Sequence, residues 1–256
     1  MEKVSIGIEI RPARPEPPES GGDNNAPTVE EPEGFAAAPL PARPSPARVV
    51  LIRHGQSTWN RQHRIQGQLD PPLSEEGRKQ ASLLGSRLGG RKFEGLYASD
   101  LKRAFETAEL IGRSVGCEPV PMSALREIFL GAWEGMRTDE IAERFPEAWA
   151  SWVEEPDWDC VPGGEGAAAF DARVGAAMDE IVGRHPHGDV LVVTHGGVIQ
   201  IALHRIVGRP SRGLFPFKIQ NASISVIEKR DGRMVISGVN DVGHLEPMLV
   251  NEVGPG

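Results

Sequence analysis

The sequence predicts an α/β protein of three layers, in which a mostly parallel central sheet carries helices on both faces. Two apolar runs, Val49–Ile52 and Val190–Val193, have the length and composition of buried strands, and helical patterns separate them. Strands separated by helices form a parallel sheet that is covered on both faces. A histidine follows each run, at His54 and His195, and ligands of such sheets bind beyond the carboxyl ends of the strands.

The remaining elements follow in chain order from the first strand. A polar loop at 56–60 comes after Arg53-His54-Gly55, and a helix then begins at Ser74, with carboxylates in its first turn, and ends at Gly89-Gly90. The later elements are a strand at 95–98, a helix capped by Ser99 and Asp100 that ends at Gly116, a strand at 119–122, a helix-rich stretch over 138–152 and again over 166–184, a strand at 190–194, a helix at 197–207, and a hairpin of 222–228 and 234–239 that turns at Asp231-Gly232.

The composition divides the chain into three segments. Residues 1–47 hold ten of the 22 prolines, with eight acidic residues against four basic ones. Such a segment cannot bury enough apolar surface to offset its ordering entropy, so a disordered extension is predicted there. Residues 48–245 are predicted to form the folded domain, and residues 246–256 a C-terminal tail.

The net charge, the apolar runs and the two cysteines argue against several classes of protein. The 256-residue chain has a formal net charge of −8, which argues against nucleic acid as its main partner. The apolar runs are too short to span a membrane, and the N-terminus has no signal-peptide pattern. Cys117 and Cys160 lack a redox or zinc spacing. They are therefore expected to be reduced thiols in a cytoplasmic protein.

The two histidines at strand ends predict an anion site. Arg53 adjoins His54, and Arg103 falls in the first turn of the helix after Ser99, where backbone N–H groups already favour anions. We interpret the site as a phosphoryl-transfer centre with a histidine nucleophile. Two plainer interpretations stay open at this point: a histidine bonded to a backbone carbonyl, and an exposed Arg103 paired with Glu106.

Taken together, these segments resemble the histidine phosphatase superfamily, whose fold is that of the phosphoglycerate mutases. The resemblance covers about residues 48 to 245 and keeps the family's order of motifs. The matching stretches are Arg53–Asn60, Arg64–Ser74 with Gly77, Tyr97–Ala104 with Thr107-Ala108, Leu125–Glu127, Gly131 with Trp133–Gly135, Pro162–Glu165, Val193–Gly197 and Asn221–Ile224. Two departures border the expected substrate pocket: Gly166 stands where a serine is usual, and Leu130 where a phenylalanine is usual.

The resemblance implies a role for each matching residue. His54 is the expected phosphorylated nucleophile, Glu127 the general acid, and His195 a further catalytic residue. The groups expected to hold the phosphoryl group are Arg53, Asn60, Arg103 and His195, and those expected to line the substrate pocket are Gln66, Gly67, Trp133 and Gly196. No metal and no cofactor are expected. The expected partner is a small phosphorylated substrate, and a homodimer is left open.

The implied activity is a metal-independent phosphomonoester hydrolase acting through phosphohistidine. The α-ribazole, glucosyl-3-phosphoglycerate and broad-specificity phosphatases share the compact Leu125–Gly135 segment. A 2,3-bisphosphoglycerate-dependent mutase is the alternative. It would resemble a longer insertion near the acid, and it would need basic residues where 125–165 carries many carboxylates. A catalytically silent phosphate-binding module is the third interpretation, which the presence of the whole catalytic set disfavours.

Overall fold

The computed structural model describes residues 46–209, 211–213, 216–246 and 248. The predicted disordered extension therefore lies outside the described residues up to position 45, and so does the predicted tail from 249 onward. Pro46 forms an isolated antiparallel bridge with His187, and the side chain of Ala47 is buried, so the described fold includes these two residues before Arg48. In the part of the chain that is described, no helix has the length and hydropathy needed to cross a membrane.

A six-stranded sheet forms the centre of the molecule. Its strands are β1 (Arg48–Arg53), β2 (Gly95–Ala98), β3 (Pro119–Pro121), β4 (Asp189–Thr194), β5 (Ile224–Arg230) and β6 (Arg233–Asp241), in the order β3-β2-β4-β1-β5-β6. The first four strands are parallel to one another, and the β5–β6 hairpin adds two antiparallel strands at one edge. This arrangement confirms the predicted mostly parallel sheet.

Seven α-helices are described. They are α1 (Thr58–Arg61), α2 (Glu75–Leu88), α3 (Lys102–Val115), α4 (Thr138–Arg144), α5 (Pro146–Glu154), α6 (Gly166–Arg184) and α7 (Gly196–Val207). Short 3₁₀ turns lie at 123–125, 131–133, 158–160 and 243–245.

Alternation along the strands produces the three layers. In β1, Val50 and Ile52 pack in one apolar cluster with residues of α2 and α3, whereas Val49 and Leu51 pack in a second cluster with residues of α6 and α7. Successive side chains of a strand point to opposite faces, so a continuous apolar run requires cover on both sides. A third, smaller cluster around Trp133 joins α4 and α5 to the loop that follows α1.

Two local predictions need correction. The polar loop at 56–60 contains the one-turn helix α1, which Ser57 and Asn60 cap reciprocally. The predicted helix-rich stretch 138–152 is confirmed and consists of two helices, because Pro146 lacks the N–H that would continue α4.

The cap of α3 also differs from the prediction. The Asp100 carboxylate is bonded to Arg126, and the first helical N–H, that of Lys102, donates to Oδ1 of Asp70 at 2.6 Å. The capping group therefore comes from a different loop, 32 residues earlier in the chain.

Candidate active site

The sheet brings the two predicted histidines together. β1 and β4 are parallel neighbours, with Arg53 opposite Thr194, so the next residue of each strand emerges at the same edge. The backbone N–H of His54 donates to the carbonyl of Thr194 at 2.9 Å. The two imidazole rings lie 5.1 Å apart between centroids at an angle of 63°. Both are buried, with exposed fractions of 2% for His54 and 0% for His195.

The hydrogen bonds of His54 assign its tautomer. Nδ1 lies 2.7 Å from the carbonyl oxygen of Gly55, which can only accept, so Nδ1 carries the proton and Nε2 keeps a lone pair. Burial, followed by the nearby charges of Arg103 and Arg53, lowers the pKa of His54 well below 6.5. The ring is therefore neutral near pH 7, with a nucleophilic nitrogen available.

His195 has one ring nitrogen occupied and one without a partner. Nε2 lies 2.8 Å from the hydroxyl of Ser99, while Nδ1 is buried and has no hydrogen-bond partner among the described residues. Burial, then the charge of Arg103, lowers the pKa of His195 well below 6.5. If Ser99 donates to Nε2, the neutral ring presents an N–H at Nδ1, which is the donor that a phosphoryl oxygen requires.

Two arginines supply the positive charge of the site. Arg103, at the first turn of α3, is only 1% exposed and donates to the carbonyls of Leu69 (2.7 Å) and Gly67 (2.8 Å). Burial lowers its pKa to about 10, so it stays charged at neutral pH. Arg53 donates to the carbonyl of Ile219 at 2.6 Å. Nε of each guanidinium is buried without a partner in the described part of the chain.

Glu127 lies at the N-terminus of α7. Its Oε2 accepts the backbone N–H of Gly197 at 3.1 Å, and its Oε1 accepts that of Ile128 at 3.0 Å. A Cβ at position 197 would overlap Oε1 of Glu127, so only glycine permits this approach. Two backbone donors and the positive end of α7 therefore fix the orientation of the carboxylate.

Arg173 of α6 forms hydrogen bonds with the backbone of the segment that carries Glu127. The Arg173 guanidinium donates to the carbonyls of Ala124, Arg126 and Glu127 at 2.7 to 3.0 Å. It also forms a two-bond ion pair with Glu165, at 2.6 and 2.8 Å. The partly buried Arg173 guanidinium therefore satisfies three carbonyls that accept no backbone N–H from the described residues.

A cavity of about 290 Å³ joins these groups to an aromatic wall. Of the predicted site residues, the cavity is lined by Arg53, His54, Gln66, Gly67, Arg103, Glu127 and Trp133. The wall is completed by Trp149, Trp152 and Trp158, with Ile65, Ile128 and Leu130 between them, and Arg64 and Thr138 at the margin.

Three predicted residues do not line this cavity. His195 contacts the ring of His54 instead. Oδ1 of Asn60 accepts from the N–H of Ser57 at 3.0 Å and from Asn221 at 3.2 Å, and Asn221 also donates to the carbonyl of His54 at 3.1 Å. In this structure Asn60 therefore supports the turn after His54. A Cβ at Gly196 would lie 3.7 Å from Nε of Arg53, so that glycine borders the guanidinium.

Sequence reasoning missed three supporting residues. Ser99 was expected to cap a helix, but its hydroxyl contacts His195. Thr107 accepts the N–H of Gly55 at 3.1 Å and donates to the carbonyl of Arg103 at 2.7 Å, which links the nucleophile's turn to α3. Arg173 was not singled out, although its position on α6, between the buried Phe170 and Val174, marks an arginine near an apolar face.

Within the described ranges, no three His, Cys, Asp or Glu side chains are grouped so that they could hold a metal ion.

Comparison with known proteins identifies relatives of this chain. A family model described as the histidine phosphatase superfamily (branch 1) matches residues 49–242. Phosphoserine phosphatase 1 of Hydrogenobacter thermophilus is 37% identical over 203 residues, which cover 79% of this chain and 96% of that protein. The metal-independent phosphoserine phosphatase of Arabidopsis thaliana is 38% identical over 202 residues, covering 77% and 82%. The solved structure of Bacillus stearothermophilus YhfR matches with a TM-score of 0.73 at 34% identity, covering 78% and 99%.

Proposed function

The chain belongs to the histidine phosphatase superfamily and is a phosphoric monoester hydrolase, and from this premise we propose that His54 is its nucleophile and Glu127 its general acid. The observation that carries the proposal is the tautomer of His54. A neutral ring with its proton on Nδ1 directs the Nε2 lone pair to an incoming phosphorus atom.

In the first step, Nε2 of His54 attacks the phosphorus atom of the ester. The new P–N bond forms as the P–O bond to the alcohol breaks, and protonated Glu127 transfers its proton to the departing oxygen. Glu127 and His54 line the same cavity, which supports this pairing of acid and nucleophile.

The transferred phosphoryl group carries its charge on three equatorial oxygens, so cationic and neutral donors around it stabilise the transition state. Arg53 and Arg103 each have a buried Nε without a partner among the described groups, and His195 has a buried Nδ1 in the same condition. We assign these three side chains to the phosphoryl oxygens. Asn60 acts with them or through the turn that it supports.

In the second step, water attacks the phosphohistidine while ionised Glu127 accepts the water proton. The P–N bond breaks, inorganic phosphate leaves, and His54 returns to its neutral form with Glu127 protonated again. One carboxyl group serves both steps by alternating its protonation state.

The substrate class is a small phosphorylated organic molecule. Two of the relatives above are named phosphoserine phosphatases, and one of those is named metal-independent. We propose a metal-independent reaction for this chain as well. A cytoplasmic location remains a prediction from the sequence, and a homodimer stays open; sedimentation of the purified protein would measure its assembly.

The test replaces His54 by alanine and follows phosphate release from 4-nitrophenyl phosphate. We expect the His54→Ala variant to lose turnover and to carry no acid-labile phosphate after a rapid quench with labelled substrate, while the wild type carries one. His204→Ala is the matched control. His204 is a buried histidine bonded to the carbonyl of Arg209, and it does not line the cavity. Retained turnover in His54→Ala, or equal loss in the control, would contradict the assignment.

The mutase alternative is measured in the same experiment. With 3-phosphoglycerate as substrate, we expect released phosphate to exceed 2-phosphoglycerate, with and without added 2,3-bisphosphoglycerate. The opposite ratio would make transfer to a second hydroxyl, and not to water, the main reaction.

A further inference from the structure

Four tryptophans line the cavity of the site. Trp133, Trp149, Trp152 and Trp158 all line the space that His54 and Glu127 also border. Indole rings therefore make up much of the wall of the cavity that adjoins the proposed nucleophile.

The tryptophan wall is held in a fixed arrangement. The ring of Trp133 makes edge-to-face contacts with Trp149 (6.0 Å, 64°) and Trp152 (5.7 Å, 81°), and Trp158 makes one with Phe170 (5.2 Å, 80°). Such contacts are favourable aromatic geometries. Trp133 and Trp158 are each only 2% exposed. The wall is therefore formed before any ligand arrives.

Some polar groups near the wall are engaged, whereas Nε1 of Trp133 is buried and has no partner among the described residues. Nη1 of Arg64 donates to the carbonyl of Gly135 at 2.7 Å and to Glu140 at 3.1 Å. Oε1 of Gln66 accepts from the hydroxyl of Ser57 at 2.7 Å. An alcohol with a carboxylate or several hydroxyls would lose its water against this mostly apolar lining, and the indole N–H of Trp133 can replace only one of the lost hydrogen bonds.

The charges disfavour a cationic alcohol as well. Aromatic walls can bind ammonium groups. Here, however, Arg53, Arg64 and Arg103 face the cavity with Glu127 as the acidic residue of its lining. A phosphate dianion offsets part of this positive charge near His54, but it does not add negative charge beside the tryptophans.

We infer that the alcohol side of this site selects a neutral, apolar and preferably aromatic alcohol over serine, sugars or an ammonium alcohol. The inference rests on the proposed function, because it concerns the leaving group of that same reaction. It makes this chain's preferred substrates differ from the phosphoserine for which the two relatives are named.

The first experiment compares two esters whose alcohols have similar acidity, so that the chemical step is alike. These are 2-phenylethyl phosphate and ethyl phosphate, with phosphoserine and phosphocholine beside them. Burial of one phenyl ring corresponds to about ten- to a hundredfold in kcat/KM. We expect 2-phenylethyl phosphate to exceed each of the other three by that factor. Equal or higher values for phosphoserine or phosphocholine would overturn the inference.

The second experiment removes part of the wall. Trp152 is partly exposed, so Trp152→Ala alters the wall with less disturbance than a change at Trp133 or Trp158. We expect the ratio of kcat/KM for the phenylethyl over the ethyl ester to fall about tenfold. Trp59→Ala is the matched control, because Trp59 does not line the cavity, and its ratio should equal that of the wild type. An unchanged ratio in Trp152→Ala would remove the wall from substrate choice.

Binding of non-hydrolysable phosphonates distinguishes failure of the proposed function from failure of the inference about the alcohol side. If no ester is hydrolysed, the proposed function fails, yet calorimetry with 2-phenylethylphosphonate and ethylphosphonate still measures the preference of the pocket. If both esters are hydrolysed at equal efficiency and both phosphonates bind equally, the hydrolase stands and the inference about its alcohol side is wrong. Circular dichroism of each variant checks that its fold is retained.

Discussion

Replacing Gly197 by alanine tests whether the position of Glu127 governs proton donation. Gly197 is the second residue of α7, and a Cβ there would overlap Oε1 of Glu127 and lie 3.2 Å from Cζ of Phe170. Phe170 is fully buried and cannot yield easily, so the carboxylate has to move. The substitution therefore displaces the proposed acid without changing its chemistry.

The expected loss depends on the leaving group. General acid catalysis contributes about 10²- to 10⁴-fold, and it matters only when the departing oxygen needs a proton. We expect kcat/KM for an alkyl phosphate, which reports the first step only, to fall by about a hundredfold or more in Gly197→Ala. For 4-nitrophenyl phosphate, whose leaving oxygen is stable as an anion, we expect a loss below about tenfold. The assay is phosphate release at ester concentrations well below KM, with both substrates on the same preparation, because hydrolysis of the phosphohistidine also uses Glu127 and would lower kcat for both esters.

The matched control is Gly183→Ala in α6, where no atom lies within 4 Å of the new Cβ. Alanine there should leave both activities unchanged and raise the free energy of unfolding by up to about 1 kcal/mol, because alanine is the better helix former. Equal losses on the two esters in Gly197→Ala would mean that the substitution damages phosphoryl binding or the fold. In that case the reasoning about Glu127 would be refuted.

Three further predictions follow from the same geometry. Arg173→Met removes the donors to three carbonyls beside Glu127, so we expect the turnover of an alkyl phosphate to fall more than that of 4-nitrophenyl phosphate. Arg205→Met is the control, because it breaks a more exposed ion pair with Asp171 and should lower neither turnover. Equal losses on the two esters in Arg173→Met would mean that Arg173 only supports the fold. The pKa values of His54 and His195 in the folded protein lie below 6.5, so below pH 6.5 the unfolded chain binds more protons than the folded one. Each histidine should therefore lower the free energy of unfolding by about 1.4 kcal/mol per pH unit until its folded pKa is reached. Denaturant midpoints that stay constant between pH 6.5 and 5 would contradict this. Addition of a chelator should leave turnover unchanged, whereas loss that divalent ions restore would contradict a metal-independent reaction.

The position of the histidine pair could be predicted from the sequence because it depends on strand topology alone. Two apolar runs that are parallel neighbours must end at one edge of the sheet, and β1 and β4 are such neighbours. The placement of Arg103 followed in the same way from a helix that begins after β2. In both cases local pattern and chain direction determine the outcome.

Contacts between distant loops could not be predicted in this way. The N-terminus of α3 is bonded to Asp70, and the Glu127 carboxylate is bonded to Gly197, 70 residues later in the chain. Neither pairing has a sequence period, since each depends on how two irregular segments cross. Asn60 illustrates the same limit: the family resemblance implied a phosphate ligand, and no sequence pattern indicated that its oxygen is also bonded to Ser57 and Asn221.

The chemistry and the choice of substrate depend on different parts of the fold. His54, Arg103, His195 and the Glu127-binding N–H of Gly197 lie at strand ends or helix starts, where the sheet determines their positions. The tryptophan wall is carried instead by 3₁₀ turns and by α5; Trp133, Trp149 and Trp152 pack in a small cluster of their own, whereas Trp158 packs in the core cluster with α6 and α7. A substitution in that cluster can reshape the alcohol side without moving the nucleophile or the arginines. The motifs that carry the catalytic residues therefore contain little information about the alcohol. For this reason, sequence similarity to phosphatases that are named for one ester does not identify the ester that this chain hydrolyses.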